Sequence, residues 1–158
     1  MWFFMILSYV LLGISALGIT AIGINHYFDF WARQHITLDI FVSIIFLAGQ
    51  TLVMFFFVGT GVNVREFSEE HSELGDRFIK GMLALKRSLY PPTMLTTLVF
   101  MAMVIFDGLY FMGRVSEWWF HILYPVTYYL FIKSTLVQHK SFIGSTNIVL
   151  AMTEPYRK

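Results

Sequence analysis

Asp107 stands inside an otherwise uncharged apolar run, 93–113, and four further proton- or metal-binding residues stand at the ends of other such runs. His26 follows the first run, His35 and Asp39 precede the second, and His121 begins the fourth. Neutral imidazoles combined with carboxylates suit copper, zinc or non-haem iron. His26, His35, Asp39, Asp107 and His121 are therefore candidate metal ligands. Two imidazoles from different helices can instead ligate haem b. On that reading His26, His35 and His121 are the cofactor residues, with Gln50 as a contact for quinol. The spacings form no compact metal motif, since His26 and His35 are nine residues apart across a turn. The plainer alternative is a set of interfacial histidines with polar tips in water and no ligand.

Asp107 is the strongest single residue. A carboxylate within a membrane span costs about 2.5–3.5 kcal/mol on insertion scales, so it is paired, neutralised or functional. A structural role pairs it with Arg114 or His121, and a catalytic one makes it the proton site of a small carrier.

Four helices must position these residues. Of the 158 residues, 57% are hydrophobic, 18% aromatic and only 13% charged. Soluble domains carry about 25% charged residues, so this composition marks a membrane protein. A transmembrane helix takes about 20 apolar residues, and 1–24, 40–61, 93–113 and 118–136 meet that test. The fourth is the weakest, with Pro125 at its middle and Lys133 near one end. The first lacks the basic leader and the A-x-A site of a signal peptide, and is read as a retained helix. The expected fold is all-α, one membrane domain over 1–158 built as a four-helix bundle. A cytoplasmic helical loop spans 62–92 and a tail spans 137–158.

Lysine and arginine set the orientation. The 62–92 loop and the C-terminal side hold nine of them, against Arg33 and Arg114 in the two opposite loops. Both termini are then cytoplasmic, as in a bacterial inner membrane, and His26, His35, Asp39, Asp107 and His121 share one depth on the outward side. Asp29 and Glu117 lie nearby in the outer loops.

The long loop is patterned. Phe67, His71, Leu74, Phe78, Met82, Leu85 and Leu89 recur at steps of three and four, one face of an amphipathic helix. Gly75 is a plausible break, and Pro91-Pro92 is expected to open the third span. The apolar stripe either rests on lipid headgroups or docks a partner subunit. Inside the membrane, Gly13, Ala16, Thr20 and Gly23 form a small-residue packing seam. Gln50 must hydrogen-bond inward, as interhelical glue or as a quinone contact. Tyr124 and Tyr128 share a face with His121, and Trp2, Trp31, Trp118 and Trp119 suit aromatic belts.

Cysteine is absent, which removes disulfides, thiolate metal sites and cysteine nucleophiles. No GxGxxG, Walker A, HExxH or GxSxG pattern occurs. A net charge of +1 gives no footing for nucleic acid. In architecture, though in no motif, the chain is similar to the four-helix membrane anchors of respiratory dehydrogenases. The expected function is a non-catalytic integral subunit, partnered by other membrane subunits and lipid, in a complex of electron transfer or energy conversion. No cofactor is expected on that reading. The alternative is a redox-active anchor binding haem b, quinol or a transition metal at the outward cluster.

Overall fold

A computed structural model describes residues 2–28, 34–74 and 76–156. Among them all regular structure is helical: α1 (Trp2–Phe28), α2 (His35–Glu70), α3 (Arg77–Phe111) and α4 (Trp118–Thr153), with short 3₁₀ turns at Ser72–Leu74 and Glu154–Tyr156. α1, α2 and α3 are each long and apolar enough to cross a membrane, whereas α4 is as long but less apolar. Asp29, Trp31, Arg33 and Gly75 lie outside the described residues.

The helices run up and down in chain order, with α2 against α1, α3 against α2 and α4 against α3. α1 closes the ring on α4. The Tyr9 hydroxyl meets His139 Nδ1 at 2.7 Å, and Thr20 Oγ1 meets the Tyr128 hydroxyl at 3.3 Å. The centre is aromatic. Phe46 of α2 stacks on Phe100 of α3 with ring centroids 4.0 Å apart, and Phe131 of α4 lies 6.0 Å from Phe46.

Three expectations change. Pro91-Pro92 lies well inside α3, which begins at Arg77. Proline removes a backbone donor, so the Arg87 and Ser88 carbonyls lose their usual helical partners while the helix runs on. α4 likewise passes through Pro125 and continues to Thr153, so the segment 137–153 is helical. The stripe over 67–89 then finds its partner within the chain: Met82 and Leu89 are core residues, and Phe67, Leu74, Phe78 and Leu85 pack against the core. Gly144 and Gly81 admit the close approach, since a Cβ at Gly144 would stand 3.0 Å from Leu85 and one at Gly81 would stand 3.2 Å from Ile148. That stripe is packed against the rest of the chain.

The small-residue seam packs at Ala16, Thr20 and Gly23 but not at Gly13. Gly13 has open space around it, whereas Gly18 packs under Val42 and Gly23 lies under the Tyr124 phenol. A methyl group at Gly23 would overlap the Tyr124 ring and hydroxyl. Gly23→Ala is accordingly expected to destabilise the protein by about 1–3 kcal/mol, the usual range for overpacking. A Gly13→Ala control should be near neutral. Thermal unfolding of both in one detergent checks the difference.

Candidate functional site

At the end of the bundle remote from the lysine-rich turn, the last turn of α1, the first of α2 and the last of α3 converge. Up-down connectivity dictates this, because His26 ends one helix, His35 begins the next, and Asp107 lies one turn before the end of α3. Asp107 is fully buried. Its Oδ1 lies 2.7 Å from His26 Nδ1, and its Oδ2 lies 2.7 Å from His35 Nε2. A carboxylate only accepts, so each facing ring nitrogen donates. One acid thus ties α1, α2 and α3 together.

The protonation pattern propagates outward. With its proton on Nε2, His35 offers Nδ1 as an acceptor, and the Asn25 Nδ2 amide donates to it. Both His35 nitrogens are therefore engaged. Asp39, one turn along α2, faces His35 Nε2 at 3.6 Å, beyond hydrogen-bond range. His26, with its proton on Nδ1, leaves Nε2 as a lone pair. That atom is buried and has no hydrogen-bond partner among the described residues.

Aromatic packing fixes both rings. His26 stacks on Phe120 at 3.6 Å and 11°, and His35 leans on Phe111 at 3.8 Å. Phe120 in turn stacks on Tyr124, so the row that supports His26 on α4 is Phe120–Tyr124, with Tyr128 one turn further on. These contacts decide the fit of haem b. The space between His26 and His35 holds the Asp107 carboxylate, and the face of His26 toward α4 holds Phe120. A porphyrin between the two histidines would have to displace both.

His121 and Glu117 sit one turn apart at the start of α4, exposed, at the mouth of the cluster. His121 Nδ1 donates to the Glu117 carbonyl at 3.1 Å. The Glu117 carboxylate approaches the free His26 Nε2 to 3.7 Å. Ligand atoms of His26, Glu117 and His121 lie within 4.8 Å of one another, as do those of His26, His35 and Asp107.

Gln50 belongs elsewhere. Fifteen residues along α2 from His35, at 1.5 Å per residue, it lies about 22 Å from the cluster. Its Oε1 accepts from Gln138 Nε2 at 2.8 Å, and the same amide reaches Thr93 Oγ1 at 3.2 Å. Both glutamines are sealed from the surface, so Gln50 joins α2 to α3 and α4 and has no open face for a quinol.

The shared depth of His26, His35, Asp39, Asp107 and His121 was expected; Asn25, Phe111, Phe120 and Gln138 were not. Arg114 is not the partner of Asp107, whose two oxygens are taken by the histidines. No protein-family model, curated protein or solved structure matches the chain.

Proposed function

We propose that the chain is a four-span protein of a bacterial inner membrane, with both termini and the lysine-rich end in the cytoplasm. On this reading it packs as a non-catalytic subunit into a larger complex of electron transfer or energy conversion. One observation carries the partner reading. Helices of 35 and 36 residues are more than 50 Å long, against about 30 Å of hydrocarbon. Their excess, at the lysine-rich end, leaves Val62, Leu83, Ile143 and Leu150 exposed on three helices. Lipid tails do not reach that far, and apolar side chains outside the bilayer favour burial against protein. Two pairs of opposite charge interleave with them, Arg65–Glu69 at 2.7 Å and Lys80–Asp76 at 3.9 Å.

Leu83→Glu and Leu150→Glu test the reading because both sites are surface positions in the isolated chain. The expected result is loss of a stoichiometric partner on purification from native membranes in mild detergent, with the unfolding midpoint of the chain unchanged. Retention of the same partners by the double variant would rule this face out. The redox-anchor alternative is disfavoured for haem b between His26 and His35, where Asp107 and Phe120 occupy the space, and for quinol at the buried Gln50.

A further inference from the structure

We propose a divalent transition-metal site at the mouth of the bundle, with His26 Nε2, the Glu117 carboxylate and the His121 imidazole as ligands and Asp107 as the group that orients His26 from behind. The starting point is an atom without a role. His26 Nε2 is shut off from solvent and unpartnered among the described residues, although buried polar atoms in native proteins are almost always satisfied. It points toward Glu117, at a separation too long for a hydrogen bond. Two ligands bound at about 2.0–2.1 Å to a tetrahedral ion stand about 3.3 Å apart. The observed 3.7 Å between Nε2 and Oε1 is close to that spacing.

The surroundings match what metal-binding histidines require. Such a histidine donates its second N–H to a carboxylate or a backbone carbonyl, which fixes the tautomer and raises its basicity. His26 gives Nδ1–H to Asp107, and His121 gives Nδ1–H to the Glu117 carbonyl. Each is left with Nε2 free to coordinate. Stacking on Phe120 holds the His26 ring in plane. Glu117 and His121, four residues apart, project from one face of α4.

The same reasoning removes three other residues from the ligand set. Both nitrogens of His35 are engaged, by Asp107 and Asn25. Asp107 spends its two oxygens on the two histidines. Asp39 lies behind His35, one turn further from the mouth. Two imidazoles and one carboxylate suit a borderline ion such as Zn²⁺ or Co²⁺ rather than Ca²⁺ or Mg²⁺. Three protein ligands leave the fourth position to water or to a group from outside.

The test uses the full chain in mild detergent, stripped with a chelator and titrated with Zn²⁺ alone, with Co²⁺ as an absorbing substitute. One ion per chain is expected, with a visible Co²⁺ band that Zn²⁺ abolishes. Glu117→Gln and His121→Ala lie on the surface, so their metal-free unfolding midpoints should equal that of the parent while affinity falls at least tenfold. Asp107→Asn should weaken binding about 10- to 100-fold without removing a ligand. His71→Ala, at the opposite end, should bind as the parent does. Absence of stoichiometric Zn²⁺ and Co²⁺ binding overturns the site, as does binding that survives both Glu117→Gln and His121→Ala.

Discussion

Asp107→Ala is expected to destabilise the protein by about 3–5 kcal/mol, the range for removing one partner from a buried ionic cluster. The loss strands two imidazole N–H groups whose hydrogen-bond acceptor is this carboxylate, at 2.7 Å each. Neither reaches water, because the acid and both rings are enclosed. Asp107→Asn should cost less, about 1–3 kcal/mol, the penalty for one buried unsatisfied polar group. Its carbonyl oxygen still accepts from one histidine, while its amide points a donor at the other. Unfolding by a denaturing detergent, read by helical circular dichroism, orders the three proteins. An alanine variant as stable as the parent would show that the acid does not hold α1, α2 and α3 together.

Phe46→Ala is expected to cost about 3–5 kcal/mol, through an unrelated mechanism. Phe46 is fully buried and stacks on Phe100, so its removal leaves a cavity that helices on three sides cannot fill. For helices long and apolar enough to cross a membrane, packing would matter more than in water, since lipid tails offer no hydrophobic drive between helices. Phe46→Leu keeps most of the volume and should cost less than about 1.5 kcal/mol. The same unfolding assay compares the two, and equal midpoints for the alanine and leucine variants would mean that the stack is not a packing centre.

The common level of His26, His35, Asp107 and His121 was legible because helix number and connectivity fix which ends meet. The identity of each partner was not. Asp107 had Arg114 and His121 as its sequence neighbours, yet it turns inward to histidines 81 and 72 residues away. The stripe over Phe67–Leu89 was recognisable as one helical face, whereas its cover was misjudged because apolar content in α4 thins out after residue 136. A different signal marked the continuation: Ser134, Gln138, Ser141 and Ser145 recur at steps of four and three, and all four are buried along the inner face of α4. Small polar residues at helical spacing carry the interface where leucine and isoleucine give out. Read that way, Gln138 becomes the obvious partner for Gln50. The paired prolines misled for a physical reason, since proline is common at a first turn, but a packed helix tolerates it further along.

The bridging of three helices by Asp107 bears on how the chain is made. The two histidines belong to the first pair of helices to leave the ribosome, and the acid that neutralises their N–H groups arrives only with the third. Until then the nascent hairpin exposes imidazole donors to whatever surrounds it. The centre is a late closure, and a chain halted before Asp107 lacks the acceptor that both imidazoles share in the finished bundle.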